Sequence, residues 1–482
     1  MPTFETRLAS VVVKNITGCT ELLEVERLSG GASQETYRLK VVLNGMATPL
    51  AMRRTPGGEY VEALPSHPGL DVEALLMQSA KAVGVPEPEV YHVLTREDDL
   101  GDGFIMEWIE GEALGARITR DPQFASIRPT LAKACGEILA RIHGIDLDQS
   151  GLRSRLAELP PKQFLDQMLA RYHDFNVSQP MIDYTGRWLQ ENLPKTDRLT
   201  LVHNDFRAGN FMLMPDGISA VLDWEVAHIG DPMRDLGWIC TNSWRFGSQL
   251  PVGGFGTYED LFAGYEAESG IKVDPDHVKY WEVFGSFWWA IGCLGMAEHY
   301  RCGPDQSVER PAIGRRTSEC QVDCVNLLIP GPVDLLAPAP ALGLDMPSQQ
   351  ELIQSVRDYL RDDAMQNLQG RSQFLARVAG NSLDMVLREL ALGGQNQAME
   401  TARLRQYYDS TAALGDLRAR LSEDLRTGKV PLSDETIQQH LRATVVNQIA
   451  IDQPNYSGFK RALAGGSLDF RTPGKAASLV AI

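Results

Sequence analysis

Residues 203–210 read HNDFRAGN, and a PDG turn at 215–217 leads from them into the run ISAVLDWE, residues 218–225. His203, Asp205 and Asn210 stand at the spacing H-x-D-x-x-x-x-N, and Asp223 closes an apolar, strand-like stretch shortly after. A carboxylate set into such a stretch is costly without a partner, and a metal ion is one of the few adequate partners. The three loop residues and this acid therefore point to one centre.

The loop spacing is that of the catalytic loop of protein kinases. Phosphoryl transfer explains it: one carboxylate accepts the proton of an attacking hydroxyl while a nearby amide oxygen holds a metal ion on the phosphates. Asp205 is then the candidate base, with Asn210 and Asp223 as candidate Mg2+ ligands. Magnesium keeps several waters and takes hard oxygen donors, so two protein ligands suffice.

Working upstream, LSGGASQET (28–36) joins two strand-like runs. Gly30 and Gly31, with Ser33 beside them, would let backbone N–H groups approach the phosphates of ATP. The next strand, PLAMRR, offers Arg53 or Arg54. Strand alternation puts only one of them on a given face, and Arg53, which shares its face with Ala51, is the candidate. Glu73, on the following helix DVEALLMQSAKAVGV, is its expected ion-pair partner. Asp71 is expected to cap that helix and Gly84 to stop it. In GFIMEWIEG the backbone from Glu107 to Ile109 is the expected adenine-reading hinge.

The 482 residues exceed what one core usually supports. The N-terminus has no basic region followed by an apolar stretch and a cleavage site, so a cytoplasmic protein is expected. The richest apolar run, WEVFGSFWWAIGCLGM, carries Glu282 and is shorter than a membrane span needs. In it Trp281, Phe284 and Trp288 recur at helical spacing, a stripe that usually builds core but could line an acyl-chain channel. Seven scattered cysteines suit reduced thiols better than a disulfide framework. The net charge of -17 argues against nucleic acid as a partner, since phosphate neutralisation needs a basic surface. From residue 349 onward sixteen basic residues face fifteen acidic ones, so the acidity belongs to the first 348 residues.

All eight tryptophans lie between Trp108 and Trp289. The composition then shifts, and the proline-rich stretch 329–350 reads as a linker. The expected organisation is a β-rich lobe at 1–110, a helical lobe carrying the catalytic loop at 111–328, the linker, a helical domain at 351–470 and a tail at 471–482. About four amphipathic helices are expected in that last domain. The fold class is α+β: a protein-kinase-like bilobal fold followed by an all-α domain.

Taken together, LSGGASQETY, AMRRTP, FIMEWIEG, LARIHGID, LVHNDFRAGN and VLDWEVAHIGDPMRDLGW resemble the aminoglycoside phosphotransferase (APH) superfamily of small-molecule kinases, over about residues 20 to 325. The resemblance implies Asp205 as base, Asn210 and Asp223 as Mg2+ ligands, and Arg53 with Glu73 as the phosphate-positioning pair. It also implies that Asp231 and Asp235 brace the loop. Antibiotic-modifying members tend to carry HGDLHPGN, whereas this chain has Asn204, Phe206 and Arg207. The variant resembles the branch found beside or fused to acyl-CoA dehydrogenases, which implies a hydroxyacyl-CoA acceptor and an acyl-CoA dehydrogenase as pathway partner. RSQFLARVAGNSL and IAIDQPNYSG resemble an uncharacterised helical domain that accompanies such kinases, read as a docking or homodimer surface. The alternatives are a kinase for a cationic amine or amino alcohol, and a nucleotide-sensing interaction protein.

Overall fold

The computed structural model describes residues 3–28, 34–62, 64, 68–338 and 346–466. The chain divides into two compact units, one made of Met1–Pro161 with Lys195–Trp281, the other of Lys162–Pro194 with Glu282–Ile482.

The first unit begins with a helix, Phe4–Asn15, capped by the Thr3 hydroxyl. Five antiparallel strands follow: β1 Cys19–Arg27, β2 Glu35–Leu43, β3 Met46–Arg54, β4 Val90–Val93 and β5 Gly103–Glu107, in the order β1-β2-β3-β5-β4. Alternation in β2 sends Tyr37, Leu39, Val41 and Leu43 into the core, where Leu8, Val11 and Val12 of the first helix meet them. That helix and β4 are additions to the elements read from the sequence.

The helix Leu70–Ala82 lies on β4 and β5. Its N-cap is Gly69, not Asp71. Asp71 sits inside the first turn, where its charge suits the helix dipole, and pairs with Arg155. The helix stops as expected, with Gly84 at a φ of 82° and the N–H groups of Val83 to Val85 closing onto Ala80 and Lys81.

Below the sheet, the helices Arg128–Ile142 and Tyr258–Ser269 pack together. Beside them are a three-stranded sheet, with β6 Glu158–Leu159 and β7 Thr200–Val202 flanking β10 His228–Gly230, and a hairpin of β8 Phe211–Met214 with β9 Gly217–Val221. Asp223 lies two residues beyond the end of β9, at a φ of 69°. These two small sheets carry the loop 203–210 between β7 and β8.

The second unit is helical. Pro180–Glu191, Thr317–Leu328, Leu414–Arg426, Glu435–Asp452 and Ser457–Leu463 share one core with the end of a 39-residue helix, Gly370–Tyr408. That helix ends at Asp409, whose φ is 47°, and Leu414–Arg426 follows as a separate helix. Phe284, on the helix Pro275–Cys302, packs within this unit against Phe164 and Phe287. Trp281 is buried in the first unit, so both positions serve as core. Among the described residues no helix is long and apolar enough to cross a membrane.

Candidate functional site

The loop after β7 is shaped by a buried acid. Asp235 accepts the backbone N–H groups of His203 and Asn204 at 2.9 and 2.7 Å, and its Oδ2 also meets His143 Nε2 at 3.1 Å. Burial alone would raise its pKa, yet these partners hold the carboxyl below its ordinary value. Asn204 takes a left-handed φ of 67°, and its Oδ1 accepts from Arg234 Nε at 2.9 Å. Asp231 accepts the N–H of Met233 at 2.9 Å and meets His277 Nε2 at 2.6 Å. Both acids of GDPMRDLGW thus fix backbone.

His203 joins the two halves of the site. Its Nδ1 accepts the N–H of Asp205 at 3.3 Å, and Nε2 donates to the carbonyl of Leu222 at 3.1 Å. Those contacts require the neutral Nε2–H tautomer, and burial depresses the imidazole pKa accordingly. The N–H of Leu222 in turn donates to the carbonyl of Asn210 at 2.7 Å. Asp205, Asn210 and Asp223 are therefore tied by backbone bonds at adjacent positions.

Asp205 is held on both oxygens. Oδ1 accepts from Arg207 Nε at 2.9 Å and Trp238 Nε1 at 2.8 Å, while Oδ2 accepts from Asn210 Nδ2 at 2.5 Å. The same amide nitrogen donates to the Asp205 carbonyl at 3.0 Å, so the Asn210 Oδ1 remains for a cation. Arg207 and Trp238 did not figure among the residues assigned a role from the sequence. Arg207 was noticed only as a departure from the usual motif, and Trp238 is 33 positions from its partner.

Arg53 reaches the same place from β3. Its Nη1 lies 3.1 Å from Glu73 Oε1 and its Nη2 3.3 Å from Asp223 Oδ1. Arg54 points the other way, to Glu35 Oε2 at 2.8 Å and over the rings of Phe4 and Tyr37. Glu73 is almost wholly buried. Burial pushes its pKa up to about 7, and the negative charges of Asp223 and Glu225 add to this against the pull of Arg53. Arg53 itself stays firmly charged: desolvation opposes its charge, but Glu73 and Asp223 outweigh that.

Glu107 ends β5, with its N–H on the carbonyl of Glu89 at 2.8 Å and its Oε2 accepting from the N–H of Glu89 at 3.1 Å. Ile109 follows, half-buried, outside the strand. Gly30, Gly31 and Ser33 lie outside the described residues.

A family model described as "Phosphotransferase enzyme family" (APH) matches residues 24–271, just over half of the chain. The chain belongs to this phosphotransferase family. A second model, "Domain of unknown function (DUF6285)", matches residues 366–456. Among curated relatives, mouse acyl-CoA dehydrogenase family member 10 is 27% identical over 65% of this chain and 30% of its own length. The probable acyl-CoA dehydrogenase IBR3 of Arabidopsis thaliana is 27% identical over 45% of this chain and 28% of its own. Chicken acyl-CoA dehydrogenase family member 11 is 28% identical over 58% and 37%. The chain thus spans about a third of the length of the curated relatives that it matches. A solved structure of a putative aminoglycoside phosphotransferase from Ralstonia eutropha JMP134 superposes with a TM-score of 0.54, at 23% identity, over 65% of this chain and 95% of that one. That likeness places the phosphotransferase in a kinase-like fold.

The donor set of this phosphotransferase fits a divalent cation bound together with a nucleotide. The charges of Asp223 and Glu225 press on Glu73, and all three carboxylates act on the Arg53 guanidinium. Among the described residues no group of three His, Cys, Asp or Glu side chains forms a metal cage by itself. Magnesium at a phosphate site needs no such cage, since one or two carboxylates plus phosphate oxygens and water complete its shell.

Proposed function

We propose that the chain is a Mg-ATP-dependent small-molecule kinase that phosphorylates a hydroxyl group, with a hydroxyacyl-CoA as the acceptor class. The observation that carries the reading is the junction of Arg53 with both Glu73 and Asp223, one backbone bond away from the Asp205–Asn210 pair. Asn210 and Asp223 would hold Mg2+, which supplies positive charge against the phosphates. Arg53, anchored by Glu73, grips phosphate oxygens with a fork that stays charged. Asp205 aligns the acceptor hydroxyl and takes its proton, using the lone pairs that Arg207, Trp238 and Asn210 leave on its oxygens. The hinge at Glu107 to Ile109 presents backbone groups to adenine.

Arg207 bears on the acceptor. Its guanidinium is fixed against Asp205 and over the ring of Trp244, 4.2 Å from the centroid. A positive charge next to the base repels a cationic amine and favours an anionic thioester such as an acyl-CoA. The names of the curated relatives agree with that class, and an acyl-CoA dehydrogenase is the proposed pathway partner.

The test is a phosphorus NMR assay of the purified chain with Mg-ATP and pooled hydroxyacyl-CoAs, set beside choline and amino alcohols. A new phosphoester signal from the thioesters, absent in Asp205→Ala although that variant still binds ATP, is the expected result. Phosphorylation of amines alone, or full turnover by Asp205→Ala, would overturn the assignment.

A further inference from the structure

Far along the chain, the Glu435–Asp452 helix carries two rows at four-residue intervals. Ile437, Leu441, Val445 and Ile449 are buried and belong to the core of the second unit. One position behind each of the last three runs a polar row, His440, Thr444 and Gln448, continued by Asp452. A polar row beside an apolar one is ordinary in a helix when it faces solvent. His440 and Asp452 are nonetheless buried, and all four line a cavity of about 290 Å3, the lower end of the size range of small-molecule sites.

The facing helix, Gly370–Tyr408, supplies another wall. Gly393 lines the cavity from its middle, where glycine is unfavourable for a helix relative to alanine. A Cβ there would stand 3.1 Å from the Cγ of Glu389, so the glycine keeps that side chain uncrowded at the cavity wall.

In the wall, two guanidiniums pair with three carboxylates, and the unmatched charge lies just beyond it. Arg418 gives two donors to the two oxygens of Glu400, at 2.7 and 2.5 Å, and Arg315 is shared between Asp452 and Glu389 at the other end. Arg403 differs. Its Nε meets His440 Nδ1 at 3.3 Å and its Nη2 meets Thr444 Oγ1 at 2.9 Å, and among the described residues it has no carboxylate at ion-pair distance. It reaches His440 from an adjoining cavity of about 450 Å3 that the same imidazole lines. Around His440, two guanidiniums thus stand against one carboxylate.

Because Arg403 can only donate, His440 must accept at Nδ1 and carry its proton on Nε2. Burial and the neighbouring Arg403 and Arg418 charges hold the imidazole neutral, with a pKa pushed down to about 3. The Nε2–H of His440, the Nη1 of Arg403 and the hydroxyl hydrogen of Thr444 meet no acceptor among the described residues. A cluster of spare donors beside an unmatched positive charge, opening on a cavity, is complementary to an anionic oxygen group.

We propose that a small organic anion, a carboxylate or a phosphomonoester, binds where the two cavities meet at His440, seated on Arg403, His440 and Thr444, with its polar body along Gln448. This site is separate in sequence from the phosphotransferase residues and does not depend on their assignment.

The test is calorimetric titration of the full chain with lactate, with glycerol 3-phosphate and with uncharged glycerol. One equivalent of at least one anion is expected to bind and glycerol is not. Arg403→Gln and Thr444→Val should each weaken anion binding tenfold or more. The near-isosteric Thr444→Val carries the test if Arg403→Gln does not fold. Lactate and glycerol 3-phosphate separate a carboxylate site from a phosphate site. Silence with both anions, equal binding of glycerol, or wild-type affinity in a folded variant would each overturn the proposal.

Discussion

Asp205 is oriented from three sides: by Arg207, by the Trp238 indole and by the Asn210 amide. The residues of the loop were legible because they lie within eight positions of one another, and a fixed spacing in sequence is a fixed spacing in a tight loop. Strand alternation likewise separated Arg53 from Arg54, whose guanidiniums lie on opposite faces of the sheet. The indole was not legible, since only the fold brings it to the loop. Its contribution is testable. Trp238→Phe keeps the aromatic packing against Trp244 and removes one charge-assisted hydrogen bond. Such a bond is worth roughly 1.5–3 kcal/mol, so kcat is expected to fall by about ten- to a hundredfold, while KM for ATP hardly moves. A kcat within twofold of wild type would show that Trp238 does not position the base.

At the scale of elements, glycine marks where helices touch. Gly136 lies inside Arg128–Ile142, and a Cβ there would stand 2.2 Å from the carbonyl oxygen of Leu261. The converse holds at Gly264, whose Cβ would stand 2.1 Å from the carbonyl oxygen of Lys133. Backbone meets backbone at this crossing, with no flexible side chain to give way. The apolar period of SIRPTLAKACGEILARIHGI predicts a helix, but a glycine within it names no partner. At GGQNQ the adjacent Gly393 and Gly394 are each unfavourable for a helix. The helix runs through because packing against Glu435–Asp452 outweighs local propensity. The first helix, Phe4–Asn15, was missed for a related reason, since its Val-Val-Val run has β character that burial on the sheet overrides. Gly136→Ala is expected to destabilise the fold by about 3 kcal/mol, as overpacking does. Gly394→Ala, with open space around its Cβ, is expected to cost nothing. Chemical denaturation of the two variants decides, and equal midpoints would refute the close crossing.

For the whole molecule, composition marked a change near the proline-rich stretch, whereas the second compact unit takes segments from both sides of it. Contacts between helices distant in sequence decide that division, and composition carries no information about them. The second unit has its own pH signature through His440. In the unfolded chain this imidazole has a pKa near 6.5, and in the fold it is pushed down to about 3 by burial and by Arg403 and Arg418. Between those two values the unfolded chain binds a proton that the folded chain refuses, so the unfolded state gains as pH falls. The contribution is fully present above about pH 6.5 and is lost progressively toward pH 3. Between pH 7 and pH 5 the loss amounts to roughly 2 kcal/mol. His440→Gln cannot titrate and should lose that much less over the same interval, measured by urea denaturation followed by circular dichroism. If wild type and His440→Gln lose equal stability between pH 7 and pH 5, the imidazole is not held neutral in the fold, and the Nδ1 lone pair assigned to accept from Arg403 is gone.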